Sequence, residues 1–140
     1  MENFLKVLKY IVAGIGTGLT WLFGTWDTAL YVLAAFMILD YITGLLKGYH
    51  TKTLSSDVGV KGLTKKFMIL IVIIVAVLLD KLMGMDNWFF RTLVCYFYIA
   101  NEGLSILENA TVLGLPLPPK LKEALEQLKQ GNKKEIVNKE

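Results

Sequence analysis

The chain has 140 residues, of which 54% are hydrophobic and 19% are charged, below the ~25% charged fraction usual for soluble domains. The formal net charge is +3, and the apolar residues form long blocks instead of alternating. This composition excludes an ordinary soluble domain and predicts one small all-α membrane domain. The single cysteine, Cys95, excludes an intrachain disulfide.

The first apolar block, residues 4–24, has two lysines in its first turns and glycines in its middle. We interpret it as a retained segment, since no small-residue cleavage site followed by a polar domain is evident. It could cross the membrane while Lys6 and Lys9 reach the surface, or it could lie in the interface as an amphipathic helix. We favour a tilted span, because the apolar part is about long enough.

Three further blocks predict membrane-spanning helices. Each is close to the ~20 residues that ~30 Å of hydrocarbon requires. In the first of them, Asp27 suits the start of a helix and Lys47 suits its end. The expected fold is therefore three to four transmembrane helices within residues 1–112. The three further helices are expected at about 26–47, 63–83 and 88–110.

The last of these helices carries a polar stripe along one face and apolar side chains on the other. Side chains three or four positions apart share a helix face. Because ionisable groups in hydrocarbon are costly, the stripe must face other helices or water. In order, the stripe contains Arg91, Cys95, Tyr98, Glu102, Ser105 and Asn109. The predicted assembly or pore-lining residues are Arg91, Tyr98, Glu102, Ser105, Asn109 and, from the helix at 26–47, Asp40.

Alternatives for these polar residues stay open. The stripe could line a water-filled lumen or form the buried seam of a tight bundle, and we favour the seam for a resting state. Asp40 and Glu102 lie at similar depths in their helices. They could share a proton, pair with Lys65 or Lys66, or each make one hydrogen bond between helices. We favour the last interpretation, and none of them needs catalysis.

The placement of lysines predicts the orientation of the chain. The loop 47–66 carries five lysines against Asp57 alone, and the tail after Asn109 carries six. The connection 80–87 has Lys81 beside two aspartates. We therefore expect the loop and the C-terminus in the cytoplasm, together with the N-terminus if the first block spans. The three tryptophans would then lie near the outer interface.

A proline-rich linker and a charged tail occupy residues 113–140. The three prolines within 115–119 end a helix and keep the chain extended. A short amphipathic helix is expected to begin near Lys120 and to end at Gly131. Residues 132–140 are expected to be disordered. We expect this charged tail to lie in the cytoplasm and to contribute little to packing in the membrane.

No catalytic, cofactor or metal site is expected. His50 is the only histidine and has no neighbouring ligand for a metal. Cys95 is expected to serve packing. The glycines around Thr17 lack the lysine and the strand-to-helix context of a phosphate loop. We therefore predict that the chain is not an enzyme and needs no cofactor, metal or nucleic-acid partner.

Several segments together resemble a known family. The run Asp40 to Gly44 ends one helix, and the loop after it carries Ser55-Ser56, Gly59, Gly62 and Lys65-Lys66 ahead of the next span. The runs 101–109 and 113–118 then follow in order. From about Trp26 to Leu128, this order and spacing resemble the phage lysis holins, a family that also includes clostridial toxin-secretion holins.

The resemblance implies a protein of the bacterial cytoplasmic membrane that oligomerises and forms lesions in host cell lysis. Through such lesions a cell-wall hydrolase (endolysin) or a large toxin would leave the cytoplasm. Neither of these partners would need to contact the chain directly. It also implies no cofactor and no catalytic site. One alternative is a non-pore membrane scaffold or accessory subunit whose tail docks a partner. A small selective channel would need a ring-forming filter motif, and none is visible.

Overall fold

Five helices account for most of the residues that the structure describes. The structure is a computed structural model, and it describes residues 1–129. This part of the chain contains no strand, which confirms the all-α prediction. In chain order the helices are α1 (Glu2–Phe23), α2 (Thr28–His50), α3 (Ser56–Leu82), α4 (Phe89–Val112) and α5 (Pro119–Lys129).

Side-chain caps fix where α2 and α3 begin. The carboxylate of Asp27 accepts a hydrogen bond from the first turn of α2, and the Ser55 hydroxyl does the same for α3. The helix α3 begins at Ser56, several residues before the predicted start near 63. Its early turns rest on α2, because Gly62 lies against the Tyr41 ring, where an added Cβ would be 3.4 Å from the ring.

The core lies between α2, α3 and α4. The helix α4 is central, since it contacts α2, α3 and α5. The buried side chains are aliphatic or sulfur-containing, so the three helices bury their apolar surface against one another. They are Leu33 and Met37 of α2, Ile69, Ile73 and Val77 of α3, and Cys95 and Ile99 of α4.

The helix α1 stands largely apart from this core. It has no buried residue and it packs along α3, while the carbonyl of its last residue, Phe23, accepts a hydrogen bond from Arg91 of α4. Its C-terminal end is fastened by Lys81, whose ammonium donates to the Trp21 carbonyl at 2.5 Å and lies 3.9 Å from the indole centroid. Trp26 and Trp88 lie at the same end of the bundle. An apolar helix this exposed is unfavourable in water and ordinary in lipid.

Three helices, α1, α2 and α3, are long enough and apolar enough to cross a membrane. The favoured interpretation of the first block as a span is therefore consistent with its length and composition. The helix α4 is not among the three, although the sequence predicted it as a clear span. The charged and amide side chains of its stripe offset its apolar ones. A membrane crossing by α4 therefore stays a prediction.

The helix α5 folds back along α4 after the proline-rich linker. Leu125 packs on Gly103 of α4, where an added Cβ would lie 3.0 Å from both Leu125 methyl groups. Near the end of α5, the Lys129 ammonium lies 5.7 Å from the Phe97 ring centroid. The expected amphipathic helix is thus present, but the expectation that it contributes little to packing is wrong. The predicted helix stop at Gly131 and the predicted disorder of 132–140 lie outside the described residues.

Candidate functional site

The first polar cluster joins α2, α3 and α4, and we call it the lysine network: Asp40, Thr43, Lys66, Glu102 and Asn109. The Lys66 ammonium donates to the Asp40 carboxylate at 2.6 Å and also to the Glu102 carboxylate. The Asn109 amide donates to the Thr43 hydroxyl at 3.1 Å and to Asp40 at 3.4 Å. One lysine therefore links carboxylates from two other helices.

The three charged groups of the lysine network lie at one level of the bundle. Asp40 comes ten positions before His50, Lys66 comes ten after Ser56, and Glu102 comes ten before Val112. Each of these residues is therefore about 15 Å, along its helix axis, from the end of the bundle where α2 and α4 stop and α3 begins.

The side chains of the lysine network are almost closed off. The exposed fraction is 12% for Lys66, 16% for Asp40 and 3% for Glu102. Removing one partner of a buried ion pair is strongly unfavourable, because the other charge is left without compensation. The lysine network therefore holds α2, α3 and α4 in register.

A small cleft gives access to the lysine network from the end of the bundle where α2 stops. Its volume is about 190 Å³. Ser105, on the predicted stripe, lines this cleft together with Tyr41 of α2 and Gly59 of α3. The segments that carried the family resemblance thus come together in space: the end of α2, the start of α3 and the second half of α4 surround one polar centre.

The second polar cluster lies at the opposite end of α4, and we call it the arginine network: Asp27, Asp80 and Arg91. Arg91 is fully buried, and its guanidinium donates to both oxygens of Asp27, at 2.9 and 3.2 Å. It also donates to the carbonyls of Phe23 at 2.6 Å and Thr25 at 2.5 Å. The hydrogen bond from Arg91 lowers the pKa of Asp27 below its ordinary value, although burial opposes this.

Asp80 completes the arginine network from α3. Its carboxylate accepts hydrogen bonds from the backbone N–H groups of Phe90 and Arg91, both at 2.9 Å. The side chain of Trp88, the residue before α4, does not cap the helix, because an indole has a donor N–H and no acceptor for the backbone N–H groups. A buried carboxylate at the positive end of the helix dipole replaces that cap. The end of α3 is thereby fixed to the start of α4.

Glycine is required at position 24, in the turn between α1 and α2. Gly24 has φ +74°, a conformation that residues with a Cβ rarely adopt. A Cβ at this position would also lie 3.3 Å from Nε of Arg91. The turn can therefore wrap closely around the guanidinium and present the Phe23 and Thr25 carbonyls to it.

The structure divides the predicted site residues between two places on α4. Arg91 belongs to the arginine network, whereas Glu102 and Asn109 lie in the lysine network with Asp40. Tyr98 and Ser105 are partly buried, and Cys95 packs in the core. Arg91, Glu102 and Asn109 of the stripe thus find partners inside one chain. Their role in assembly or in lining a pore stays a prediction.

Two features of the site differ from the sequence interpretation. Lys66 reaches between Asp40 and Glu102, so the favoured interpretation, one simple hydrogen bond for each carboxylate, is wrong. The roles of Asp27 and Asp80 as partners at the start of α4 were missed. A signal was available, because Asp80 and Arg91 flank a short connection and so come to the same end of the bundle. Within residues 1–129, no group of three His, Cys, Asp or Glu side chains is placed to hold a metal.

Comparison with known proteins places this arrangement in a family. The bacteriophage holin family matches residues 17–130, a stretch that contains both polar networks. The chain belongs to the bacteriophage holin family. It is therefore a membrane protein with a holin-type role, and this membership implies a function other than catalysis. The predicted resemblance to phage holins is confirmed.

Individual relatives of this holin family member come from phage and from bacteria. A probable holin of Bacillus phage phi105 is 36% identical over 96 residues, covering 68% of this chain and 70% of the phage protein. An uncharacterized 14.9 kDa protein of Clostridium perfringens is 52% identical over 96% of this chain and 100% of its own length. An uncharacterized protein of Listeria monocytogenes is 40% identical over 85% and 84%. No solved structure matches the chain at a significant level.

Proposed function

We propose that the chain accumulates in the bacterial cytoplasmic membrane, assembles with copies of itself and forms lesions in host cell lysis. Through these lesions a cell-wall hydrolase, or a large toxin, leaves the cytoplasm. Family membership supports the general role. The observation that supports lesion formation is the polar stripe of α4, and the position of α5, which brings further charged side chains alongside α4, favours assembly.

The charged face of α5 lies at the same height along α4 as the lysine network. Leu125 packs on Gly103, the residue next to Glu102. Lys122 and Glu126 flank Leu125 and have side chains that are 66% and 50% exposed. If α4 crosses the bilayer, these charges would face hydrocarbon in an isolated subunit, and such placement costs several kcal/mol. Water in the lumen of an assembly, or a neighbouring subunit, would remove that cost.

The polar stripe supplies the second part of the proposal. Within one chain the charges of the stripe are paired, which suits a subunit that is stable in the membrane before it assembles. In the assembled state, the stripe residues would exchange partners inside the chain for water or for partners on other subunits. The residues assigned to this role are Asp40, Arg91, Tyr98, Glu102, Ser105 and Asn109.

The experiment that tests the proposal is inducible expression in a bacterium with the membrane potential recorded over time. We expect an abrupt depolarisation after a lag, because lesions form only when enough subunits have assembled. A culture carrying the same vector without the gene gives the baseline. Normal growth with the protein abundant in the membrane would contradict the proposal and favour the alternative, a membrane scaffold or accessory subunit whose tail docks a partner.

Crosslinking of isolated membranes tests the role of the stripe separately. Glu102→Leu removes a polar group that could bind a neighbour in lipid, and Glu102→Gln keeps its hydrogen-bonding capacity. We expect ladders of oligomers for the wild type, weaker ladders for Glu102→Gln and monomer for Glu102→Leu. Equal ladders for all three would show that Glu102 takes no part in assembly.

A further inference from the structure

The second half of α4, the proline-rich linker and the start of α5 line an apolar groove. Its volume is about 630 Å³, within the range of small-molecule binding sites. The side chains and backbone that line it are mostly apolar, and they include Leu104, Leu107 and Val112 of α4 and Leu115, Pro116 and Leu117 of the linker.

The apolar lining of the groove suits a hydrocarbon chain. The α4 residues that line it extend from Leu104 to Val112, a distance of about 12 Å along the helix axis. In a membrane protein, a lipid chain fills a groove with this lining more favourably than water does. The polar groups that line it are Glu108, Thr111 and Lys122.

Two lysines lie in the first turn of α5, and one of them, Lys122, lines the groove. The first turn of α5 contains Lys120 and Lys122 and no acidic residue. Cations at the positive end of a helix dipole are unfavourable, and an anion bound there would be favoured. Lys122 lines the groove, and its contact with Glu126 is long at 4.0 Å, with both side chains largely exposed. Such a contact holds an ammonium only weakly.

We propose that this groove binds an anionic phospholipid of the phosphatidylglycerol type. One acyl chain lies along α4, and the phosphate lies at the first turn of α5 beside Lys122. The Glu108 carboxylate disfavours a second negative charge, but it accepts hydrogen bonds from the hydroxyls of a glycerol headgroup. This site goes beyond the proposed function, since it depends on residence in a membrane and not on lysis.

The test is native mass spectrometry of the full chain in detergent, with phosphatidylglycerol and phosphatidylcholine of equal acyl length added in equal amounts. We expect the wild type to retain phosphatidylglycerol at least about fivefold better than phosphatidylcholine, the preference that one lysine gives near an anionic lipid. Lys122→Gln should lose most of this preference. Leu107→Trp should reduce binding of both lipids, because an indole fills the groove.

Lys129→Gln is the matched control, since it removes the same charge from the other end of α5. It should bind phosphatidylglycerol like the wild type, and all variants should keep the helical circular dichroism of the wild type. Equal retention of the two lipids by the wild type would overturn the proposal. So would an equal loss in Lys122→Gln and Lys129→Gln. Preference for phosphatidylethanolamine over phosphatidylglycerol, in a third mixture, would assign the groove to a headgroup ammonium on Glu108 and also overturn it.

Discussion

Lys66 of α3 donates a hydrogen bond to Glu102 of α4 across 36 positions of sequence, and the same ammonium also binds Asp40 of α2. Two carboxylates therefore depend on one cation. Loss of the cation leaves both carboxylates uncompensated, whereas loss of Glu102 leaves a complete pair between Lys66 and Asp40. The three residues are consequently unequal in their effect on stability.

Lys66→Met is expected to lower the free energy of unfolding by about 3–5 kcal/mol, the usual result of leaving buried charge unpaired. Glu102→Leu should lower it less. The measurement is thermal unfolding in detergent, followed by circular dichroism. Lys65→Met is the control, because Lys65 is adjacent but exposed. Similar losses for Lys65→Met and Lys66→Met would contradict the ion-pair assignment.

Gly24→Ala is expected to destabilise the protein more than Gly84→Ala. Both glycines have positive φ, at +74° and +65°, which costs a residue with a Cβ about 1–3 kcal/mol. The ψ of −155° at Gly24 belongs to a region that essentially only glycine adopts, and only at Gly24 would the new methyl also press on Arg91. The difference between the two unfolding free energies measures that contact together with the backbone strain, and equal values would show that the turn around Arg91 can relax freely.

Asp27 is expected to stabilise the fold in a pH-dependent way. Its pKa lies below the ordinary value of 3.8 because Arg91 hydrogen-bonds to the carboxylate. The stabilisation is therefore complete above pH 3.8 and is lost as the pH falls through the lower pKa of the folded state. The unfolding temperatures of the wild type and Asp27→Asn should differ most near neutral pH and converge in acid. A constant difference down to pH ~2 would contradict this linkage.

The C-terminus is expected to lie in the cytoplasm, because residues 47–66, around the turn between α2 and α3, and the tail after Asn109 carry most of the lysines. Protease added outside intact spheroplasts should leave a C-terminal tag uncut. An N-terminal tag should also be protected if α1 spans the membrane. Permeabilised spheroplasts are the control, in which both tags should be cut, and cleavage of the C-terminal tag in intact spheroplasts would overturn the orientation.

Truncation after Leu117 is expected to change the time of lysis without abolishing it. The truncation removes α5 and its contact with Gly103, but it leaves both polar networks of α4 intact. Lysis is followed by culture turbidity after induction, and membrane insertion is verified by fractionation. Leu125→Asp in the full chain should shift the timing in the same direction. Complete loss of lysis with normal insertion would show that α5 is part of the lesion itself.

The sequence predicted the helices well where apolar length and capping act locally. The start of α3 was placed too late because Gly59 and Gly62 suggest a loop, and their helical conformation depends on contact with Tyr41 of α2. The return of α5 onto α4 was missed for a similar reason. Periodicity shows that Leu125 lies on an apolar face, but it does not show which helix that face contacts.

The candidate site was predicted only in part. The spacing of the stripe correctly placed Arg91 and Glu102 on one face of α4, because helix geometry alone determines that relation. The partners of that face depend on how three helices align. Lys66 was one of several options, and the pairing of Arg91 with Asp27 spans 64 positions of sequence. A pattern of neighbouring residues cannot reveal a contact across so long a separation in sequence.

The order of synthesis gives the arginine network a further consequence. Arg91 binds the carbonyls of Phe23 and Thr25, which leave the ribosome 68 and 66 residues earlier. If α1 and α2 both cross the bilayer, the turn between them is therefore unfastened while α3 is made. Glu102 and Asn109 follow Arg91 in the chain, so the lysine network closes later still. Until α4 arrives, contacts with α3, among them the one from Lys81 to Trp21, are the contacts within the chain that hold α1 and α2 in a nascent subunit.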